Sequence, residues 1–511
     1  MKASHSVLLL HRVNPRIVLA VLCLAALSPS LVVEIPAMAD YPNHLARMFI
    51  LSREAGPHAS PFYEVDWELY PNLAMDLLVP QIAKAMSVEH AMRLFLLVSQ
   101  LLIITGAMAL ERSVKGQTSL GGFAALAFLY SLPFAWGFVN FEFGLGLALW
   151  CIAAALALQE KRWSLRLAVH TASTLVLFMA HFFALGVYGF TIGVHELWRA
   201  RSRADALPEL GGRLLLLGAP TLLLLALMVS SGGSIGGKGT DWLFAYKPLW
   251  LFRIMSGFSQ TLSAICVVSL VAGIYLLARN GALRFAASGP WLAVGFVLLY
   301  ILMPSRLFDT SFVDLRIIVA AALIMPAFLN VKFSAREWRL AFAIGAVLIT
   351  LSNIALVLAV WLPYRAVYAD MIESFGRIKK GSTVLIGHSG AGNDPPFNDL
   401  TEYPIYNAPV LAVHFADAFV PNLFTAPGKQ PVKPRPNYAA LDIPYGGPVP
   451  VAILSSIAEG TAPAATPRFI RDWPREFDYL YLLGPRISNP LPKLLEEIQS
   501  SQRFVLYRVR K

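Results

Sequence analysis

Charge is scarce in this sequence. Only 14% of its 511 residues are Asp, Glu, Lys or Arg, and 57% are hydrophobic. A soluble domain is nearer half apolar and a quarter charged, so a purely soluble fold is the first class to go. Cysteine is scarcer still: Cys23, Cys151 and Cys266 are the whole complement, and all three fall in apolar runs. The chain after residue 363 has none, so it is built without disulfides or a cysteine metal site. Long apolar runs are also missing from that part, where prolines, charges and short alternating segments take over.

What is present before it is a series of apolar runs of membrane-crossing length, since about 20 apolar residues cross a bilayer as helix. We read eleven spans, at 17–35, 91–110, 119–135, 140–158, 168–182, 184–198, 213–231, 260–279, 289–304, 316–331 and 340–362. The run 168–198 is divided in two, each half short for a full crossing, which points to broken or displaced helices there. With that division the segments outside the spans on the N-terminal side hold 15 Lys and Arg, and the opposite loops hold 7. The positive-inside bias then puts the N-terminus in the cytoplasm and the region after the last span outside. The net charge of +11 is therefore mostly topology and implies no nucleic-acid partner. "PAMA" before Asp40 resembles a signal-peptidase site, but the apolar run 17–33 is longer than a signal core and reads as a retained span.

The expected fold is a polytopic α-helical membrane protein with a small C-terminal extracytoplasmic α/β domain. Residues 1–362 form the body, with a long first outer loop at 36–90, and 363–511 the outer domain. In the outer domain the pattern predicts a helix over 364–378, strands at 382–386, 410–414, 479–483 and 504–509, and a helix over 492–499.

Two motifs mimic known chemistry and fail on context. Gly387-His388-Ser389-Gly390-Ala391 approaches a hydrolase nucleophile elbow, which needs a helix directly after the serine. "NDPPFNDL" follows instead, and two prolines stop any helix there. Gly232 to Lys238 fits the start of a phosphate loop, but Gly239 stands where Ser or Thr is required. Lys238 remains a loop cation able to approach a lipid phosphate.

The first outer loop carries the strongest candidates. Helical spacing over 43–53 and 73–86 predicts two helices lying on the membrane surface with an apolar face down. Asp40 sits where the first span leaves the bilayer, with His44 and Arg47 four and seven residues on, along one side of a helix. A carboxylate at such a boundary is partly desolvated, and its pKa rises toward the range of a general base. The bland alternative is an Asp N-cap. Arg47 could hold a phosphate, and Asp76 in the second surface helix is a further catalytic or ligating candidate.

Beyond the loop, Glu142 opens span four, and His181 sits at the break between the paired short spans. Ionisable groups inside spans usually face a cavity or a partner. Glu142 could instead lie at the interface, and His181 could bond a freed backbone carbonyl. Asp314 and Arg316 begin span ten. Arg316 could bind a phosphate in a bidentate fashion, or pair with Asp314 and snorkel to the headgroups.

A long first outer loop with an acid just after span one, two surface helices, about eleven spans and an outer α/β domain resemble the GT-C glycosyltransferases. "DYPNHLAR", "WGFVNFEFGLGLAL" and "FMAHFFALG" are similar to a bacterial branch of that superfamily. The resemblance implies transfer of a sugar from a polyprenyl-phosphate donor to a glycan, lipid or protein acceptor at the outer face of the cytoplasmic membrane. Its first-loop acid, the expected base, maps onto Asp40. Several members carry paired acids there, whereas Tyr41 follows Asp40 here. The sequence requires no divalent metal and leaves room for one. The competing classes are a non-catalytic membrane protein that binds a lipid-linked glycan or a partner, and a transporter.

Overall fold

The computed structural model describes residues 15–54, 59–118, 120–230, 239–307, 310–333, 336–390, 400–443, 446–461 and 466–511. The helices run in chain order as α1 (Pro15–Val32), α2 (Tyr41–Ser52), α3 (Ala74–Ile82), α4 (Val88–Lys115), α5 (Gly121–Phe128), α6 (Leu132–Trp136), α7 (Val139–Ala157) and α8 (Trp163–Ala180). There follow α9 (Phe182–Arg203), α10 (Leu207–Ser230), α11 (Lys247–Leu251), α12 (Gln260–Arg279), α13 (Gly289–Leu302), α14 (Val313–Ile324) and α15 (Arg336–Phe375).

Among the described residues, six helices are long and apolar enough to cross a membrane: α4, α7, α8, α10, α12 and α15. Two shorter apolar helices accompany them, at Ile17–Val32 and Gly289–Leu302. Eleven full crossings do not follow from helix length. Where one span is expected over 119–135, the described residues form two short helices, α5 and α6, of 8 and 5 residues, and α14 has 12. The run 168–198 does break, at His181, but its halves are helices of 18 and 22 residues rather than short ones.

Local chemistry explains the ends. Ser87 caps α4 by accepting from the His90 amide, and left-handed Gly116 ends the helix. Two glycines in "FEFGLGLAL" set the packing of α7. A methyl on Gly146 would lie 2.6 Å from Leu102 Cβ, and one on Gly144 would lie 2.5 Å from His181 Cβ. Gly146 thus lets α7 press onto α4, and Gly144 lets it press onto the break between α8 and α9, as small residues do in membrane bundles.

The C-terminal part holds a five-stranded sheet. Its strands are β2 (Val384–His388), β4 (Val449–Pro450), β5 (Tyr479–Leu483), β6 (Leu495–Ser500) and β7 (Phe504–Val509), in the order β6-β7-β5-β2-β4. β5 and β4 lie parallel to β2, while β7 is antiparallel to β5 and β6. Two expectations fail. Within 492–499 the predicted helix is absent, since 495–500 pair as strand β6 with β7, and 410–414 form helical turns, Ala408–Leu411 and Ala412–Phe415. Nor is 364–378 a separate helix, since α15 runs unbroken through Pro363 for 40 residues.

The first loop is clamped between these parts. Its strand β1 (Tyr63–Val65) pairs with β3 (Val432–Pro434) of the C-terminal part. Tyr63 Oη bonds both the carbonyl and the amide of Val420, and Arg53 meets Asp417 at 3.0 Å. His414 pairs with Glu89 at the start of α4 at 2.5 Å. The surface-helix expectation is corrected for α2: residues from both of its faces are buried against protein, and it touches α3, α4 and the turns at 408–415.

Arg47 ties α2 to its neighbours. Its guanidinium meets Asp76 of α3 at 2.9 and 3.1 Å and also reaches Gln430, and the two charged side chains are 5% and 1% exposed. Removing one member of such a buried pair leaves the other charge uncompensated, at a cost of about 3–5 kcal/mol. Asp76→Ala should therefore lower the unfolding temperature in detergent sharply, and the double change Arg47→Met with Asp76→Leu should recover most of the loss. Equal loss in both variants would show that the ion pair is not what matters there.

Candidate functional site

Asp40 is positioned by backbone on both sides. The Ala39 and Asp40 amides donate to the carbonyls of Ala135 and Trp136 at 3.2 and 2.9 Å. Asn407 Nδ2 donates to the Ala39 carbonyl at 2.8 Å. Gly137 closes in behind, with φ +87° and room for no side chain: a methyl there would stand 3.0 Å from the Asp40 nitrogen.

The N-cap reading of Asp40 fails. Its backbone is helical (φ −90°, ψ −10°), and its side chain accepts no capping bond from α2. The carboxyl is half-buried and, among the described residues, makes no hydrogen bond or ion pair. Burial pushes its pKa up to about 7, against the pull of the Arg316 charge.

Arg316 lies in the first turn of α14, after Phe312 in a left-handed conformation (φ +60°). Its guanidinium rests over the Phe138 ring at 4.4 Å, with the Phe141 ring at 5.4 Å. The residue is 7% exposed, and its Nε has no partner. Apart from a long contact of Nη2 to the Ser311 carbonyl (3.4 Å), the described residues give it no hydrogen bond and no ion pair. Pairing with Asp314 is ruled out by geometry, because Asp314 is taken by Lys247 at 3.1 Å and by Ser305 Oγ at 2.6 Å. Snorkelling is ruled out by burial.

The Arg316 charge acts on Asp40, on Glu142 and on His181. Glu142, at the start of α7, is 3% exposed and leaves Oε1 without a partner. His181 serves the backbone: Nδ1 accepts from the Phe183 amide at 3.2 Å and caps α9, rather than bonding a carbonyl. The structure thus gathers Asp40, Glu142, Arg316 and His181 at one end of the bundle.

Other candidates are drawn elsewhere. Arg47 and Asp76 spend their charges on each other, so Arg47 is no free phosphate ligand and Asp76 no free base. Burial raises the Asp76 pKa, with Arg47 opposing it. His44 bonds the Gly137 backbone and stands edge-on to Phe424 at 5.7 Å. Burial first, and then the Arg47 charge, hold its pKa well below the usual range, so its imidazole is neutral. Lys238 lies outside the described residues. Among those described, no group of three His, Cys, Asp or Glu is placed to hold a metal ion. Ser389 Oγ reaches the Leu483 and Pro485 carbonyls and serves the sheet.

Sequence reading missed the aromatic bed. Phe138 and Phe141 support Arg316, and Trp136 links Phe312 (5.2 Å) to Tyr403 of the C-terminal part (4.9 Å). It also missed two asparagines. Left-handed Asn72 takes the Phe182 amide on its side chain at 2.7 Å, and Asn140 bridges the Asn72 carbonyl to the Met75 amide. All but Asn72, Phe312 and Tyr403 sit in "WGFVNFEF", a string whose four aromatics around one acid were the available signal.

No protein-family model and no curated protein matches the chain. Two solved structures do align with it along most of its length. ArnT from Cupriavidus metallidurans bound to undecaprenyl phosphate gives a TM-score of 0.49 at 11% identity, over 96% of this chain and 97% of that one. The same protein in its apo state gives 0.47 at 12% identity over the same shares. At this level of similarity neither ligand nor activity passes to this chain, and function must come from the site itself.

A desolvated carboxyl without a hydrogen bond costs stability whenever it is charged. With the folded pKa raised to about 7, the folded state favours the protonated form, and stability falls as pH rises toward 7. Asp40→Asn, neutral at every pH, should therefore unfold at a higher temperature than the parent at pH 8, with the gap narrowing at pH 5 and closing only below about 4. A lower unfolding temperature for Asp40→Asn at pH 8 would assign Asp40 a structural role.

Proposed function

We propose that the protein is a GT-C-like glycosyltransferase that moves a sugar from a polyprenyl-phosphate donor to an acceptor at the outer face of the cytoplasmic membrane. The observation that carries this reading is an unbonded Asp40 carboxyl, partly withdrawn from water, within the field of a buried Arg316 guanidinium that has no ion-pair partner among the described residues. A buried cation without a counter-ion is costly, and the cost is offset when an anion arrives. A lipid phosphate delivered from the bilayer suits that place, and a guanidinium suits a phosphate.

The chemistry is a single displacement. Asp40, as carboxylate, takes the proton of the acceptor hydroxyl or amine while that atom attacks the anomeric carbon of the donor sugar. The bond from that carbon to the phosphate oxygen breaks, and the oxygen keeps the electron pair. Arg316 stabilises the phosphate charge that develops, in a site poor in water. Attack on the face opposite the phosphate inverts the anomeric centre. Glu142 and His181 complete the field around Arg316, and the C-terminal part, outside the membrane in this reading, brings Tyr403 to the aromatic wall at Trp136.

Complementation of a deletion strain, scored by the cell-surface glycan that changes, tests the assignment. Loss of a general base costs about 100- to 10,000-fold in rate, so well-expressed Asp40→Asn protein should leave the glycan defect in place. With the parent in membranes, the rate should rise with pH and level off above about 7 as Asp40 ionises. Normal glycan with Asp40→Asn would remove Asp40 from the chemistry.

A further inference from the structure

A second polar assembly lies at the far end of the bundle. Asp40 and His181 mark where α7 and α9 begin, and this assembly gathers where those helices end. From His181 to Arg199 along α9 is roughly 27 Å at 1.5 Å per residue, close to the thickness of a bilayer's hydrocarbon core. The assembly therefore lies at the opposite membrane interface.

There the last turns of α4 and α9, the loop after α7 and the entry to α13 line an open cavity of about 190 Å³. Glu160, His195, Trp198, Arg199, Ser202 and Arg203 supply its polar and aromatic wall. Arg199 is 4% exposed. It donates to Glu196, to the Gln159 carbonyl and to Glu160, each at 3.1 Å. Arg203 reaches the same Glu160 at 3.1 Å, and Arg166 reaches the same Glu196. Three guanidiniums thus share two carboxylates. His195 is held between Ser288 Oγ and Gln159 Oε1, at 2.9 and 3.0 Å.

We propose that this cavity binds the phosphate headgroup of an anionic phospholipid in the leaflet opposite Asp40. The excess of one positive charge calls for an anion, and Lys161, Arg162 and Arg201 follow in the same loop and helix end. Basic pockets between helices at a membrane interface hold lipid headgroups in this way. The volume exceeds that of several waters. Trp198 in the wall and lipid-facing Leu197, 38% exposed, set the cavity at headgroup depth. Glu160, whose side chain is 68% exposed, bridges Arg199 and Arg203 and so competes with a phosphate for both.

That competition gives a test with opposite signs, independent of any enzymatic activity. Full-length protein in detergent is mixed with phosphatidylglycerol, cardiolipin or phosphatidylcholine, and bound lipid is counted by native mass spectrometry. Anionic lipid should be retained in preference to phosphatidylcholine. Arg203→Gln should lower that retention about fivefold, the worth of one interfacial cation, and Glu160→Gln should raise it. Both substitutions fall on partly exposed side chains, and a merely structural network would shift retention in the same direction for both or not at all. Equal retention in all three proteins, or no preference over phosphatidylcholine, would overturn the proposal. Displacement of the lipid by an equal concentration of inorganic phosphate would overturn the lipid assignment in favour of a free-anion site.

Discussion

One unfavourable arrangement governs the candidate site: a half-buried carboxyl and a buried guanidinium near one another without being bonded to each other. Two opposite charges in low dielectric gain most by closing to contact, yet Arg316 lies over Phe138 and pairs with neither Asp40 nor Glu142. Each keeps part of its desolvation cost. That cost raises the Asp40 pKa to about 7 and leaves the Arg316 charge without a counter-ion among the described residues.

The scaffold exists to hold this state. Asp40 is fixed by the α6–α7 turn through the Trp136 carbonyl and the tight approach of Gly137. The phenylalanines of α7 give the guanidinium an apolar surface that offers no competing carboxylate. Gly144 brings that same helix against His181, which in turn starts α9. Asn407 fastens the Ala39 carbonyl and Tyr403 closes on Trp136, so the C-terminal part shares in positioning Asp40. Charges that could have collapsed onto the site are tied up nearby, Arg47 with Asp76 and Lys247 with Asp314.

What was legible in the sequence was largely what local pattern controls. Apolar runs marked the membrane helices, and strands Tyr479–Leu483 and Phe504–Val509 followed from their β-branched, aromatic and leucine content. Asp40 and Arg316 stood out because a charge at the edge of an apolar run needs a reason. Pairings were not legible. Nothing in the spacing of Arg47 separates a phosphate ligand from a partner of Asp76, because that choice is made by the packing of α2 on α3. The stretch 495–500 favours helix alone and becomes strand because β7 supplies a ladder. The surface-helix reading of α2 missed the second covering layer, which comes from residues more than 350 positions later. The span read over 119–135 did not foresee the break at Leu129–Ser131, where Ser131 and Pro133 start a second short helix.

Whether Asp40 is a desolvated acid tuned by Arg316 is decided most directly by its titration. Carboxyl-labelled aspartate in the membrane-reconstituted protein, with the Asp40 resonance assigned by its loss in Asp40→Asn, reports the pKa by NMR across pH 4 to 9. The expected midpoint lies near 7 and moves higher in Arg316→Gln, where the opposing charge is gone. A midpoint in the ordinary carboxylate range, unmoved by Arg316→Gln, would contradict that tuning.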